Sequence, residues 1–142
     1  MTFLLDVNVL FVLHQPRHLH FKRVFRWFKQ ERVGAFATCP ITQSGLVRLL
    51  TQPTGLDVFR AGEARDALRN FVQLPGHVFW PDLPPYLDAS QRFSRRTQGY
   101  RQITDSYLLG LALHNKGRLA TLDEGIAHLA SAEFSSLVEL IV

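Results

Sequence analysis

Short apolar runs alternate with longer amphipathic stretches along this chain, and that alternation restricts its fold more than any other feature. Phe3-Leu4-Leu5, Ala35-Phe36-Ala37-Thr38, Val78-Phe79, Arg118–Leu122 and Leu137–Ile141 read as short strands. After the first, a helical turn through Val9, Leu10 and Leu13 is expected. Residues 17–31 repeat Phe21, Val24, Phe25 and Phe28 at i, i+3, i+4, i+7, which predicts a helix with Lys22, Arg23, Arg26 and Lys29 on its wet face. Gly34 can stop that helix, and Pro40 suits the first turn of another running through Gln43, Val47, Leu50 and Thr51. Further helices are predicted over about 60–73 and 85–97, with a turn at Gly76 and a proline-rich loop over 80–85 between them. Thr104 is expected to cap a helix that buries Leu108, Leu111 and Ala112 and closes at Lys116-Gly117. Strands separated by helices imply an α/β protein whose parallel sheet is covered on both faces.

In such sheets the functional crevice lies beyond the carboxyl ends of the strands. Asp6 and Asp123 follow two predicted strands directly, and Asp105 stands at the start of a predicted helix. Parallel strands would therefore bring three carboxylates to one edge. Each has a plainer reading: Asp105 suits the helix dipole, and Asp123 before Glu124-Gly125 suits a turn. Asp6 is harder to dismiss, because it breaks an apolar run where a lone carboxylate is costly. Asn8 can bond the adjoining loop. Two carboxylates ~4 Å apart repel by about 4 kcal/mol at an effective dielectric of 20. A cluster of three thus calls for a cation. All-oxygen donors favour hard Mg²⁺ or Mn²⁺, which can polarise a phosphoryl oxygen and acidify water.

The 142 residues fit one domain, 1–142, and 46% of them are hydrophobic, too many for a disordered chain. No uncharged stretch approaches the ~20 apolar residues needed to span a bilayer, and Asp6 interrupts any signal-like start. One cysteine, Cys39, allows no internal disulfide and reads as a small buried side chain. A cytoplasmic protein with no membrane association is expected.

The stretches Leu5-Asp6-Val7-Asn8-Val9-Leu10, Ile103-Thr104-Asp105-Ser106-Tyr107-Leu108-Leu109 and Leu119-Ala120-Thr121-Leu122-Asp123 resemble, in order and spacing, the PIN-domain nucleases. Within them the likeness is to the VapC-type toxins of bacterial toxin–antitoxin pairs. The resemblance implies a three-layer α/β/α domain with a central, mostly parallel sheet of four to five strands. It implies a Mg²⁺- or Mn²⁺-dependent endoribonuclease, usually a homodimer, silenced by a cognate antitoxin. Asp6, Asp105 and Asp123 would hold the ion, with Asn8 and Thr121 as supporting polar residues. The family's usual Glu early in the helix after the second strand is replaced here by Gln43. An amide can still touch an ion or its water, but it carries no charge and accepts no proton as a base. A weakened or inactive nuclease is therefore expected, whether Gln43 arose by divergence or by a deliberate change. A non-catalytic RNA- or protein-binding module is the alternative, and a small-phosphoester hydrolase a third reading.

The net charge of +4 comes from 16 basic and 12 acidic residues, and thirteen of the basic ones are arginine, the better fork for phosphate. Arg92 to Arg101 holds four arginines and no acid. Arg95, Arg96 and Arg101 there are expected to hold RNA phosphates and Tyr100 to stack on a base, against the alternative of a solvated loop. Arg48 has no assignment. His14 and His18 form the only i, i+4 histidine pair and are expected to cap or face solvent. The aromatic residues of 21–28 exceed the needs of one face, so some are candidates to meet a second copy or an antitoxin.

Overall fold

The computed structural model describes residues 1–31, 35–53 and 56–142, with Glu31 described in its backbone only. The expected stop at Gly34 lies outside them. β1 (Thr2–Leu5) leads to α1 (Val7–Leu13) and α2 (Phe21–Glu31), then β2 (Ala35–Thr38), α3 (Pro40–Leu50) and α4 (Ala61–Val72). β3 (His77–Phe79), α5 (Tyr86–Ser90), α6 (Ile103–His114), β4 (Arg118–Thr121), α7 (Glu124–Ala130) and β5 (Val138–Leu140) complete the order. The strands form one sheet in the order β3-β2-β1-β4-β5, and every pairing is parallel. This is the three-layer α/β/α arrangement the alternation implied.

The period of two along each strand divides the core. Leu4, Ala37, Leu119 and Val138 pack with Leu108, Leu111, Ile126 and Phe93 under α5, α6 and α7. Phe3, Leu5, Phe36 and Ala120 pack with Val9, Leu10, Val24, Leu46 and Phe71 under α1 to α4. Helix α6 packs closely on α5 because of Gly110; a Cβ there would collide with the Ala89 carbonyl.

Three local expectations need correction. The second helix begins at Phe21, not 17, because the segment before it turns, with the His18 ring nitrogen accepting the His20 N–H at 3.0 Å. The 85–97 helix is α5 followed by a 3₁₀ turn over Gln91–Arg96, which buries Phe93 against Phe134 (ring centroids 5.0 Å). Thr104 does not cap α6: Gln102 occupies that position and the helix opens at Ile103. At its other end α6 closes at Lys116-Gly117 as expected, with Lys116 left-handed (φ 56°) and the Gly117 N–H donating to the Ala112 carbonyl at 2.9 Å. Gly117 also allows close approach of the Thr2 carbonyl and the Trp80 ring. The aromatic excess of α2 is largely absorbed inside: Phe28 is buried and Trp27 stacks edge-on against Phe3, while Phe25 stays exposed. Among the described residues no helix is long and apolar enough to cross a membrane.

Candidate active site

Asp6 ends β1 and caps α1, so its backbone belongs to the sheet and its carboxylate to the helix start. Its N–H donates to the Ala120 carbonyl at 3.0 Å. Oδ1 accepts the Val7 N–H at 2.7 Å, and Oδ2 accepts the Thr121 hydroxyl at 2.6 Å. The residue is buried (7% exposed). Burial pushes its carboxyl above the ordinary range, the bonds from Thr121 and Val7 oppose that, and the Asp123 charge adds to the rise.

Thr121 is the hub of this corner. Besides donating to Asp6, its oxygen accepts the Asp123 N–H at 3.0 Å and an Asn8 amide hydrogen at 3.4 Å. Asn8 Oδ1 in turn accepts the Leu122 N–H at 3.3 Å. Asp123 caps α7 through the Gly125 N–H at 2.8 Å and is exposed. Asp105 enters from the first turn of α6, half-buried. Its carboxyl is raised to about 7, by burial first and then by the charges of Asp6 and Asp123.

The three acids named from sequence thus share one electrostatic neighbourhood. Among the described residues, however, no three or more His, Cys, Asp or Glu side chains are gathered closely enough to hold a metal ion between them. The donor chemistry still suits Mg²⁺ or Mn²⁺. Mg²⁺ keeps several waters and needs only one or two carboxylates together with substrate phosphate.

Gln43 bonds at the end of β2. Its Nε2 donates to the Thr38 hydroxyl at 3.0 Å, and Thr38 meets His77 Nε2 at 2.7 Å. Burial holds the His77 imidazole below its ordinary pKa. Sequence reasoning missed Thr38 and His77. A polar residue closing an apolar strand was the available signal at Thr38, while its link to His77, 39 positions away, depends on strand pairing. Arg95, Arg96, Tyr100 and Arg101 are all exposed in the segment leading into α6. The Arg101 guanidinium lies 5.7 Å from the Tyr100 ring centroid. His14 Nδ1 bonds the Leu10 carbonyl at 2.7 Å, a local role that a zinc site does not need.

A parallel α/β/α sheet with hydroxyl-anchored carboxylates at its carboxyl edge defines a protein of the phosphoester-cleaving kind. The sequence profile of the PIN domain matches residues 3–132. Ribonuclease VapC39 of Mycobacterium tuberculosis is 39% identical over 142 residues, covering 99% of this chain and 100% of the relative. Ribonuclease VapC29 of the same organism is 40% identical over 133 residues, 91% of each chain. The chain belongs to the PIN-domain family, among the VapC ribonucleases. In fold it is similar to the crystal structure of M. tuberculosis VapC20, described as a sarcin–ricin loop cleaving toxin. That match has a TM-score of 0.69 and 10% identity, and covers 92% of this chain and 97% of the other. It is also similar to a chain in the crystal structure of FitAcB from Neisseria gonorrhoeae, with TM-score 0.59 and 18% identity over 90% and 92% of the two chains.

Proposed function

We propose that this chain is a metal-dependent endoribonuclease toxin of a toxin–antitoxin pair, with Asp6, Asp105 and Asp123 as its metal-binding acids. The observation that carries the reading is the corner in which one buried hydroxyl, Thr121, ties Asp6 to the Asp123 turn while Asp105 faces both charges. A bound Mg²⁺ or Mn²⁺ would supply polarisation of the phosphoryl oxygen and a lowered pKa for water. Asp6 is held rigidly by the Val7 N–H and Thr121, so its free lone pairs keep one direction. Without an ion the Asp105 carboxyl is raised to about 7 by burial and then by the charges of Asp6 and Asp123, so a bound cation would favour its ionised, ligating form. Asn8 and Thr121 orient the corner. Gln43 contributes a neutral amide where an acid would add charge.

Arg95, Arg96 and Arg101 hold the phosphate backbone, and Tyr100 offers a ring for a base. The partners are RNA, a cognate antitoxin and a second copy of the chain, and the setting is cytoplasmic. A labelled RNA incubated with Mg²⁺ or Mn²⁺, against an EDTA control, tests the assignment. Cleavage should require the ion and should fall by ~10²–10³ in Asp6→Asn, the scale for losing one aligned electrostatic group. RNA retention without ion-dependent cutting would leave a binding module in its place.

A further inference from the structure

A groove of about 690 Å³ runs between α3 and α4 on the side of the sheet away from α6, within the size range of built ligand sites. Gln43 lies in its wall together with Arg48, Arg65 and Arg69, and Val47 and Leu68 supply apolar lining. Five residues separate Gln43 from Arg48 in sequence, yet both face this one cleft. Arg69 is paired with Asp66 in an exposed contact. Among the described residues neither the Arg48 nor the Arg65 guanidinium has an ion-pair or hydrogen-bond partner. The Arg48 and Arg65 guanidiniums at one concavity, with Arg69 already answered by Asp66, leave a surplus of positive charge that an anion relieves. Arg forks match phosphate in particular.

The acid corner cannot attract a polyanion by itself, so positive charge must guide one toward it. The apolar lining adds a second constraint. Guanidiniums beside apolar surface suit a strand whose bases are unstacked, with phosphates outward and base faces against the protein. A duplex keeps its bases stacked and offers no face to such a lining.

We infer that the α3–α4 groove binds a single-stranded stretch of RNA adjoining the cleaved phosphate, with Arg48 and Arg65 on successive phosphates. The adjoining position rests on the ribonuclease reading above. The test is a salt titration of binding to a labelled single-stranded oligoribonucleotide in EDTA, so that cutting plays no part. For Arg48→Ala/Arg65→Ala the affinity should drop about tenfold, and the salt slope should flatten by ~1.4, at ~0.7 per lost phosphate contact. Arg48→Lys/Arg65→Lys should restore the slope, which a folding defect would not allow. Unchanged affinity and slope would overturn the groove, as expected if it were built for an acidic protein segment. Equal losses on a perfect RNA duplex would overturn its single-strand preference. Ion-dependent cutting with an unchanged slope sinks the groove alone. A lost slope with no cutting supports RNA binding there and sinks the ribonuclease reading.

Discussion

Two buried threonines close the strands on either side of β1, and they serve opposite purposes. Thr121 ends β4 and organises acids; Thr38 ends β2 and organises an amide and an imidazole. Register explains the divergence. Leu5 pairs with Ala120 and Leu4 with Ala37, so Thr121 comes level with Asp6 while Thr38 comes level with Leu5. Alternation then sends them to different faces. Thr121 shares the face of Leu119, under α6 and its Asp105, and Thr38 shares the face of Phe36, under α3 and its Gln43. One residue of offset between neighbouring strands separates a charged corner from a neutral one.

The largest effect expected from breaking this contrast is at the hub. Thr121→Val keeps the shape but removes the donor to Asp6, so Mn²⁺ affinity measured by calorimetry should fall by ~10–100-fold, the usual cost of losing an orienting partner. The equivalent Thr38→Val change should leave it within error; equal losses would erase the distinction between the corners. Gln43→Glu sharpens the comparison with a smaller effect. The added carboxylate should tighten Mn²⁺ about fivefold, equivalent to about 1 kcal/mol of attraction. It should also raise the His77 pKa as followed by NMR, since the new charge would share Thr38 with that ring. A risen His77 pKa with unmoved Mn²⁺ affinity would show that the two faces do not communicate.

The smallest effect concerns pH. Asp105 has a carboxyl raised from 3.8 to about 7 in the folded chain, so between those values the folded state binds more protons than the unfolded one. Metal-free stability from this group is therefore lost as pH rises from about 4 through 7. Asp105→Asn should remove that part of the decline and raise Tm above pH 7 by a few degrees, on the order of the shift per kcal/mol for a domain this size. A pH profile identical to the parent would mean that neither burial nor the charges of Asp6 and Asp123 raise the Asp105 carboxyl.

Much of the acid corner was legible because it is local. Asp6 interrupts an apolar run, and a charge in that position has to leave the strand at its carboxyl end. Asp123 sits two residues beyond Thr121 and its own N–H finds that hydroxyl, a contact set by chain neighbours. Gln43 was legible as a departure from a pattern but not as a hydrogen-bond donor, because its partner network crosses from α3 to β2 and β3. Thr104 misled for the reverse reason: a good capping side chain was available, yet α6 opens one residue earlier at Ile103.

The sequence by itself determined the layered fold and the strand-end acids, since both follow from hydrophobic periods of two and 3.6 and from the cost of burying charge. Tertiary structure alone decided which side chains share a face. Pairing β1 with β4, more than a hundred residues away, set Thr121 beside Asp6; pairing β2 with β3 set Thr38 beside His77; and the packing of α3 on α4 gathered three arginines around one groove. Such placements depend on register between distant segments, which local preference does not encode.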